Sequence, residues 1–441
     1  MKIKLHEKNL IVLGCTHEEN DWGHYQFPKI FRMEDGSLAV SIHMAEDSAR
    51  AYGSRTPFFV SYDEGKTWTP TDEDLRPKCG LRLPDGKILS AISRTSVNVA
   101  HMKETPLFHI EHGFLPDMPL THAKKSTDPN ALPTTVYRKQ NGYGLISLYH
   151  MDTLPDNLMD PTFPFMLYDP DTDSTEEYLA PLDWPNMPAK VVGFSDDEKM
   201  LVRPFLYGNL KTAPDGSIWA IHYEMGCDPK TGGFSPYNTP YILRSTDGGK
   251  SFRLHSWLPY YPDTELDPLA FLREGYPEPE VEFMPDGSVI MVMRTCGIGN
   301  GGPNFGPMFI TRSTDGGVTW EKPKVFDRYG VLPQLRRLEC GVTVAVYGRP
   351  GIYVRMTSDP SGQVWDDPVV VMTPENRIGE ANDPGNPGNH PFHRWEGSCC
   401  NMSAAVLDDH RLIIAYSDFY IPDENGVKRK GCWSQIVEIV E

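Results

Sequence analysis

The 441-residue sequence predicts an all-β fold assembled from repeated sheets. Three observations carry that prediction. A short Ser-x-Asp-x-Gly-x-x-aromatic element recurs along the chain. Polar turns, most of them Asp-Gly, recur immediately before β-branched and apolar stretches. No stretch of about 12 residues has the period of an amphipathic helix. Composition agrees, with 38 glycines, 40 prolines and 11% aromatic residues pointing to many turns and few long helices.

The recurring element is cleanest at Ser313, Asp315, Gly317 and Trp320. Ser61, Asp63, Gly65 and Trp68 form a second copy, and Ser245, Asp247, Gly249 and Phe252 a third. A fourth, degraded copy keeps Ser358, Gly362 and Trp365 but has Pro360 at the Asp position. The physics is local. The Asp accepts hydrogen bonds from backbone N–H groups a few residues on, closing a tight turn. The Gly supplies a positive φ, and the aromatic packs back on the turn. One such turn means little; three with the same spacing mark a repeat architecture.

The second pattern divides the chain. Glu34-Asp35-Gly36 leads into 37–40, Pro84-Asp85-Gly86 into 87–89 and Asn141-Gly142 into 145–148. Pro214-Asp215-Gly216 leads into 217–221, and Pro285-Asp286-Gly287 into 288–292. Cys340-Gly341 leads into 342–346, and Asp408-Asp409-His410 into 412–416. Seven hairpins at a mean spacing of about 60 residues suit a single-domain β-propeller spanning 1–441, with one four-stranded blade per repeat. Seven hairpins allow seven blades. Six are expected if the Gly86 hairpin elaborates a neighbouring blade, with 96–132 as its loop. The other long polar segments, 259–279 and 375–401, are expected on the propeller faces, where function concentrates.

A formal charge of −18 argues against a nucleic-acid or anionic-membrane partner. Residues 1–15 hold no apolar run of signal-peptide length, and no stretch reaches the 18 apolar residues of a membrane span. The expectation is a cytoplasmic protein, or a secreted one if a leader has been removed. The eight cysteines form no CxxC pair and are expected as free thiols. There is no nucleotide cradle, no HExxH and no Cys/His set with zinc spacing, so neither metal nor cofactor is expected.

The Ser-x-Asp-x-Gly-x-x-aromatic element resembles the Asp-box of the sialidase (neuraminidase) superfamily. Its members are six-bladed β-propellers that carry the boxes on the rim, away from the active site. Function therefore rests on other residues. In that family a Glu begins an inner strand and an Arg ends the next strand, both facing the central funnel. Glu278 and Arg294 match those positions, and the resemblance implies a base and a carboxylate-binding group. The plain alternative is that Glu278, Glu280 and Glu282 line a solvated strand face. Arg349 matches a further carboxylate-binding arginine in the following blade; its alternative is a rim salt bridge.

The departures point elsewhere. Gln26 stands where the first family arginine would be, in His24-Tyr25-Gln26-Phe27-Pro28, with His24 and Tyr25 expected on the funnel floor. The family's nucleophilic Tyr is absent from the last blade, where the chain reads Glu396-Gly397-Ser398-Cys399-Cys400-Asn401. The expectation is a sialidase-like, exo-acting glycoside hydrolase on an ordinary terminal sugar, using a carboxylate pair. Glu278 is paired with Asp47, and Glu396 stands in reserve. Glu46 and Asp47 share their loop with Arg50 and Arg55; His390, His393 and Arg394 flank Glu396. Arg50 and His393 are expected to contact substrate. The alternatives are a non-catalytic carbohydrate-binding propeller and a polysaccharide lyase using His, Tyr and Arg.

Overall fold

The computed structural model describes residues 1–16, 23–104, 125–133, 137–141, 144–295, 306–349, 351–372 and 401–441. Among them there is no α-helix; the only helical turns are the 3-10 segments Arg76–Lys78, Met151–Thr153 and Ala270–Leu272. Strand pairing yields six antiparallel meanders of four strands. The first comprises His24–Arg32, Leu38–Met44, Phe58–Ser61 and Thr69–Thr71. The second comprises Leu81–Arg82, Ile88–Ala91, Thr162–Asp169 and Ser174–Asp183; the third, Leu210–Thr212, Ile218–Cys227, Phe234–Ser245 and Phe252–Trp257. Glu280–Phe283, Val289–Met293, Met308–Ser313 and Lys324–Asp327 form the fourth. Val331–Arg337, Thr343–Gly348, Ile352–Thr357 and Val369–Met372 form the fifth. Met402–Val406, Arg411–Pro422 and Lys428–Val440 begin the sixth, and the N-terminal strand Lys2–Leu13 completes it, pairing from Lys2↔Val440 to Leu13↔Gly431. This is a β-propeller of four-stranded blades, its two chain ends joined in one sheet.

Second strands read as apolar runs where they are buried on both faces. Val289–Met293 is buried throughout, as is Thr343–Gly348. Neighbouring sheets pack face to face. Trp219 and Ile221 of the third blade share a cluster with Val289, Met291, Met293 and Phe309 of the fourth.

One further sheet lies outside the six meanders. Val97–Asn98, Lys199–Val202, Pro188–Gly193, Gly144–His150 and Tyr137–Asn141 form a five-stranded sheet, inserted around the second meander. This corrects one expectation. The Gly86 turn joins Leu81–Arg82 to Ile88–Ala91 and is an ordinary inner hairpin. The elaboration is the hairpin Tyr137–Asn141 with Gly144–His150. The two hairpins look alike in sequence, and only non-local pairing separates them.

All four box copies sit at the turn between the third and fourth strands of their blades. In the first, Ser61 Oγ donates to Asp63 Oδ1 (2.8 Å) and accepts from Gly65 N (2.8 Å), while Thr67 N donates to Asp63 Oδ1 (2.9 Å). The same bonds recur at Ser313, Asp315, Gly317 and Thr319. The aromatic and the Gly join blades. Trp68 Nε1 donates to Ser434 Oγ at 2.9 Å, and Trp320 Nε1 to Ser256 Oγ at 3.2 Å. A Cβ on Gly317 would lie 2.4 Å from the Trp219 ring of the preceding blade. The degraded copy is repaired rather than lost. Asp359, one residue early, accepts from the N–H groups of Ser361, Gln363 and Val364, and Trp365 Nε1 donates to Gly362 O as Trp68 does to Gly65 O.

Candidate functional site

The site is built where inner strands begin. The ladder Glu280↔Val292 sets Glu278 opposite Arg294, at the entrance of the fourth blade. Arg294 Nη1 lies 3.0 Å from Glu278 Oε1, and its Nη2 lies 2.9 Å from Glu274 Oε1. The other Glu278 oxygen accepts the N–H of Leu332 from the fifth blade at 2.8 Å. Both oxygens are thus held as acceptors by rigid elements.

The backbone is strained here and, separately, at the start of the first blade. Glu278 has φ 52°, Leu332 φ 46°, Arg349 φ 59°, Tyr25 φ 57° and Phe27 φ 49°. Bulky residues adopt this region at a cost of about 1–3 kcal/mol, and such residues concentrate at functional sites. Three of these five, Tyr25, Phe27 and Leu332, lie at bulges in inner strands, where the ladder slips between His24 and Lys29 and between Val331 and Gln334.

Glu280 and Glu282 are not a solvated face. Glu280 is 1% exposed and accepts from Asn209 Nδ2 (2.6 Å) and Arg336 Nη1 (2.9 Å). Lys211 Nζ lies 2.7 Å from Glu282 Oε2 and 3.4 Å from Glu280 Oε1, and donates to Leu335 O at 3.0 Å. These contacts cross the third, fourth and fifth blades near the axis. Lys211 and Arg336 thus offset the charge of Glu280 and Glu282.

The remaining candidates fall into three groups. Arg349 is 5% exposed and follows Gly348, which pairs with Val331 next to Leu332, so it stands beside the Glu278 entrance. Gln26 is fully buried opposite His43, and among the described residues neither amide atom has a hydrogen-bond partner; nor has His24 Nδ1. Asp47 packs against Gly23 of the same first blade, where a Cβ would come 2.1 Å from Ala45 O and 2.7 Å from Asp47 N. Burial holds His43 below its ordinary value, against the pull of the Glu46 carbonyl and Asp47. Tyr25 is placed elsewhere. Its ring covers Gly14, and burial, then Cys15 and Cys432, raise its pKa, so it belongs to the closure between first and sixth blades. Arg50 is on the rim, bidentate to Glu198 at 2.9 and 2.8 Å and stacked on Phe194 at 4.0 Å. It fastens the first blade to the inserted sheet and is not brought to Glu278. Glu396 and His393, with His390 and Arg394, lie outside the described residues.

Sequence reasoning missed the third blade. The contacts Lys211–Glu282 and Asn209–Glu280 form a ladder between inner strands that continues toward Glu278. At that level the third blade presents Tyr207 and Tyr223, with ring centroids 5.2 Å apart. Desolvation, then the charge of Glu278, drives the Tyr223 hydroxyl well above its ordinary value, so it stays a phenol. Glu274 was also missed, although it sits four residues before Glu278. The available signal was the run His222-Tyr223-Glu224, polar residues in an otherwise apolar second strand of a blade.

No protein-family signature and no curated protein matches this sequence. Solved structures do. An uncharacterised protein from Dyadobacter fermentans DSM 18053 is similar at a TM-score of 0.59 and 16% identity, over 99% of each chain. That likeness shows a shared fold. An α-L-arabinofuranosidase from Fusarium graminearum is similar at a TM-score of 0.46 and 12% identity, over 99% of this chain and 98% of that one. A Hadza microbial sialidase is similar at 0.44 and 14%, over 94% of this chain and 66% of that one.

Proposed function

We propose that this protein is a glycoside hydrolase that removes an uncharged terminal sugar from a glycan. The observation that carries the reading is Glu278, a carboxylate of positive φ fixed by Arg294 and by the N–H of Leu332, itself of positive φ. With both oxygens accepting, Glu278 suits the base or nucleophile. A glycosidase sets its second carboxyl about 5 Å away if retaining and roughly 6.5–9.5 Å away if inverting. Asp47 is the proposed acid, on the first blade beside His43; Glu396 is the reserve. Two features favour a neutral sugar over a sialoside. Arg294 already binds the protein's own carboxylates, Glu274 and Glu278. Gln26 stands where the family has a cation, and among the described residues its amide donor and acceptor have no partner, as a sugar hydroxyl requires.

The test is a screen of aryl glycosides and glycan libraries with pure protein. Turnover of a neutral glycoside and none of an aryl sialoside is the expected result. Efficient sialoside cleavage would overturn the neutral-sugar reading. The aromatics Tyr52, Phe205, Tyr207 and Tyr223, whose consecutive rings lie 5.1, 4.2 and 5.2 Å apart, favour a binding-only propeller as the second reading. Glycan binding without turnover would select it.

A further inference from the structure

We propose that the axial channel binds a small inorganic anion, held by donors that the first, fifth and sixth blades set around Lys29. Such a site goes beyond the carbohydrate reading and uses none of the residues assigned to it.

Identical turns put the inner strands in step. Each turn opens on an N–H donated to the carbonyl four residues on: Met33 to Ser37, Ala213 to Ser217, Met284 to Ser288, Leu338 to Val342 and Leu407 to Arg411. Counted back from these turns, Lys29, Asn209, Glu280, Gln334 and Ser403 stand at one level. The ladders agree, with Lys29↔Ser41, Glu280↔Val292, Gln334↔Val346 and Ser403↔Ala415 in equivalent places. The residues that follow, Ile30, Val281, Leu335 and Ala404, are buried in the cores between blades. Strands alternate sides, so the level of Lys29 faces the axis. The bond from Asn209 Nδ2 to Glu280 Oε2 at 2.6 Å crosses two blades at that level.

The channel is cationic inside an acidic body. In a chain of formal charge −18, the six inner strands carry six Lys and Arg side chains but two carboxylates. Those two, Glu280 and Glu282, are already met by Lys211 and Arg336. Lys29 is left over. It is exposed, yet burial alone lowers its ammonium below the ordinary value, and no carboxylate among the described residues pulls it back. A side chain that water reaches but protein still desolvates stands in a wet recess walled by the surrounding strands. A cation in such a place without a counter-ion is costly, and a bound anion removes the cost.

Two further donors share the level. Gln334 of the fifth blade is 7% exposed, and Arg336 Nη2 donates to its Oε1 at 2.7 Å. That bond fixes the amide, so Nε2 is left as a donor, without an acceptor among the described residues. Ser403 of the sixth blade lies half-buried between the fifth and first blades. The three blades adjoin: Arg336 Nε donates to Ala404 O at 2.9 Å, and Arg32 Nη1 donates to Leu407 O. An ammonium, a hydroxyl and an amide N–H thus line one side of the channel, while the paired carboxylates stand on the other. Water access through a narrow ring of side chains admits a small anion, and donors of this kind hold chloride or phosphate by charge-assisted hydrogen bonds.

The experiment titrates the whole protein with sodium chloride and, separately, with inorganic phosphate, at an ionic strength held constant with gluconate. Binding is read by chlorine and phosphorus NMR line broadening and by the thermal midpoint, which an anion held only by the folded state raises. The variants are Lys29→Met, which keeps the stem and removes the charge, Lys29→Arg, Ser403→Ala, and Lys4→Ala on the outer strand as control. The expected result is saturable binding of chloride or phosphate in the millimolar range. Lys29→Met should weaken it about tenfold or more and Ser403→Ala measurably, while Lys29→Arg retains it and Lys4→Ala leaves it unchanged. Without either anion, Lys29→Met should melt no lower than the parent, because it removes an uncompensated charge. Saturating anion should then carry the parent above the variant. Three outcomes overturn the proposal: neither anion raises the midpoint beyond gluconate, folded Lys29→Met binds as the parent does, or Lys29→Met melts lower in anion-free buffer, which would mean that the ammonium already has a partner in the protein.

Discussion

Replacing Lys211 with methionine keeps the buried stem and removes only the charge that joins three blades. Lys211 is 14% exposed at its side chain and faces Glu282, Glu280 and the Leu335 carbonyl. In the variant Glu280 keeps Asn209 and Arg336, so its loss is partial. Glu282 keeps only the Phe283 N–H, at 3.1 Å, and becomes a buried charge without a cation. Breaking a buried pair costs about 3–5 kcal/mol, and the lower end applies because one carboxylate stays paired. The Leu335 carbonyl still accepts from Arg336 Nη1 at 2.8 Å, so the expected total stays at about 3 kcal/mol. Urea unfolding followed by tryptophan fluorescence measures this as the midpoint shift multiplied by the slope. The double variant Lys211→Met/Glu282→Gln removes the stranded charge and should recover at least half of the loss, a coupling a double-mutant cycle isolates. If Lys211→Met unfolds within about 0.5 kcal/mol of the parent, the size of an ordinary surface change, the axial network is not a stabilising centre.

Three further outcomes follow from the same structure. Glu278→Gln and Asp47→Asn should each lower kcat about 10²-fold or more on whichever glycoside the screen identifies, and unchanged turnover removes that residue from the mechanism. Gly317→Ala should cost about 2–4 kcal/mol, since its φ is +79° and its Cβ would meet Trp219; Gly316→Ala, at φ +73° with open space around it, should cost about 1 kcal/mol, and equal losses would refute the blade-contact argument. Asp63 is held down to about 2 chiefly by the Thr67 N–H, and Asp359 to about 2 chiefly by the Ser361 N–H. Folded values below the unfolded ones give stability that is full above about pH 4 and lost as pH falls toward 2. The thermal midpoint should drop across that window, and the drop should be shallower in Asp63→Asn; identical curves would rule the boxes out as its source.

Much of the fold was written locally. A Ser-x-Asp-x-Gly-x-x-aromatic turn closes on its own side-chain hydrogen bonds, so the intact copies could be read without knowing their neighbours. Even the degraded copy obeys the same chemistry once Asp359 is allowed to act one residue early. The apolar runs after Asp-Gly turns marked the doubly buried strands for the same reason. Glu278 and Arg294 were legible because one hairpin joins them, and a hairpin's register is set by its own turn.

What the sequence could not determine is which blades meet. Glu274 and Tyr223 join the site through contacts away from the Glu278 hairpin, and neither spacing nor propensity encodes those. The identity of the elaborating hairpin, the rim position of Arg50 and the placement of Tyr25 in the ring closure were likewise settled only by strand partners far away in the chain. Local hydrogen bonds and the strand period fix each blade. The site lies between blades, where burial and charge pairing across the axis decide which side chains come together.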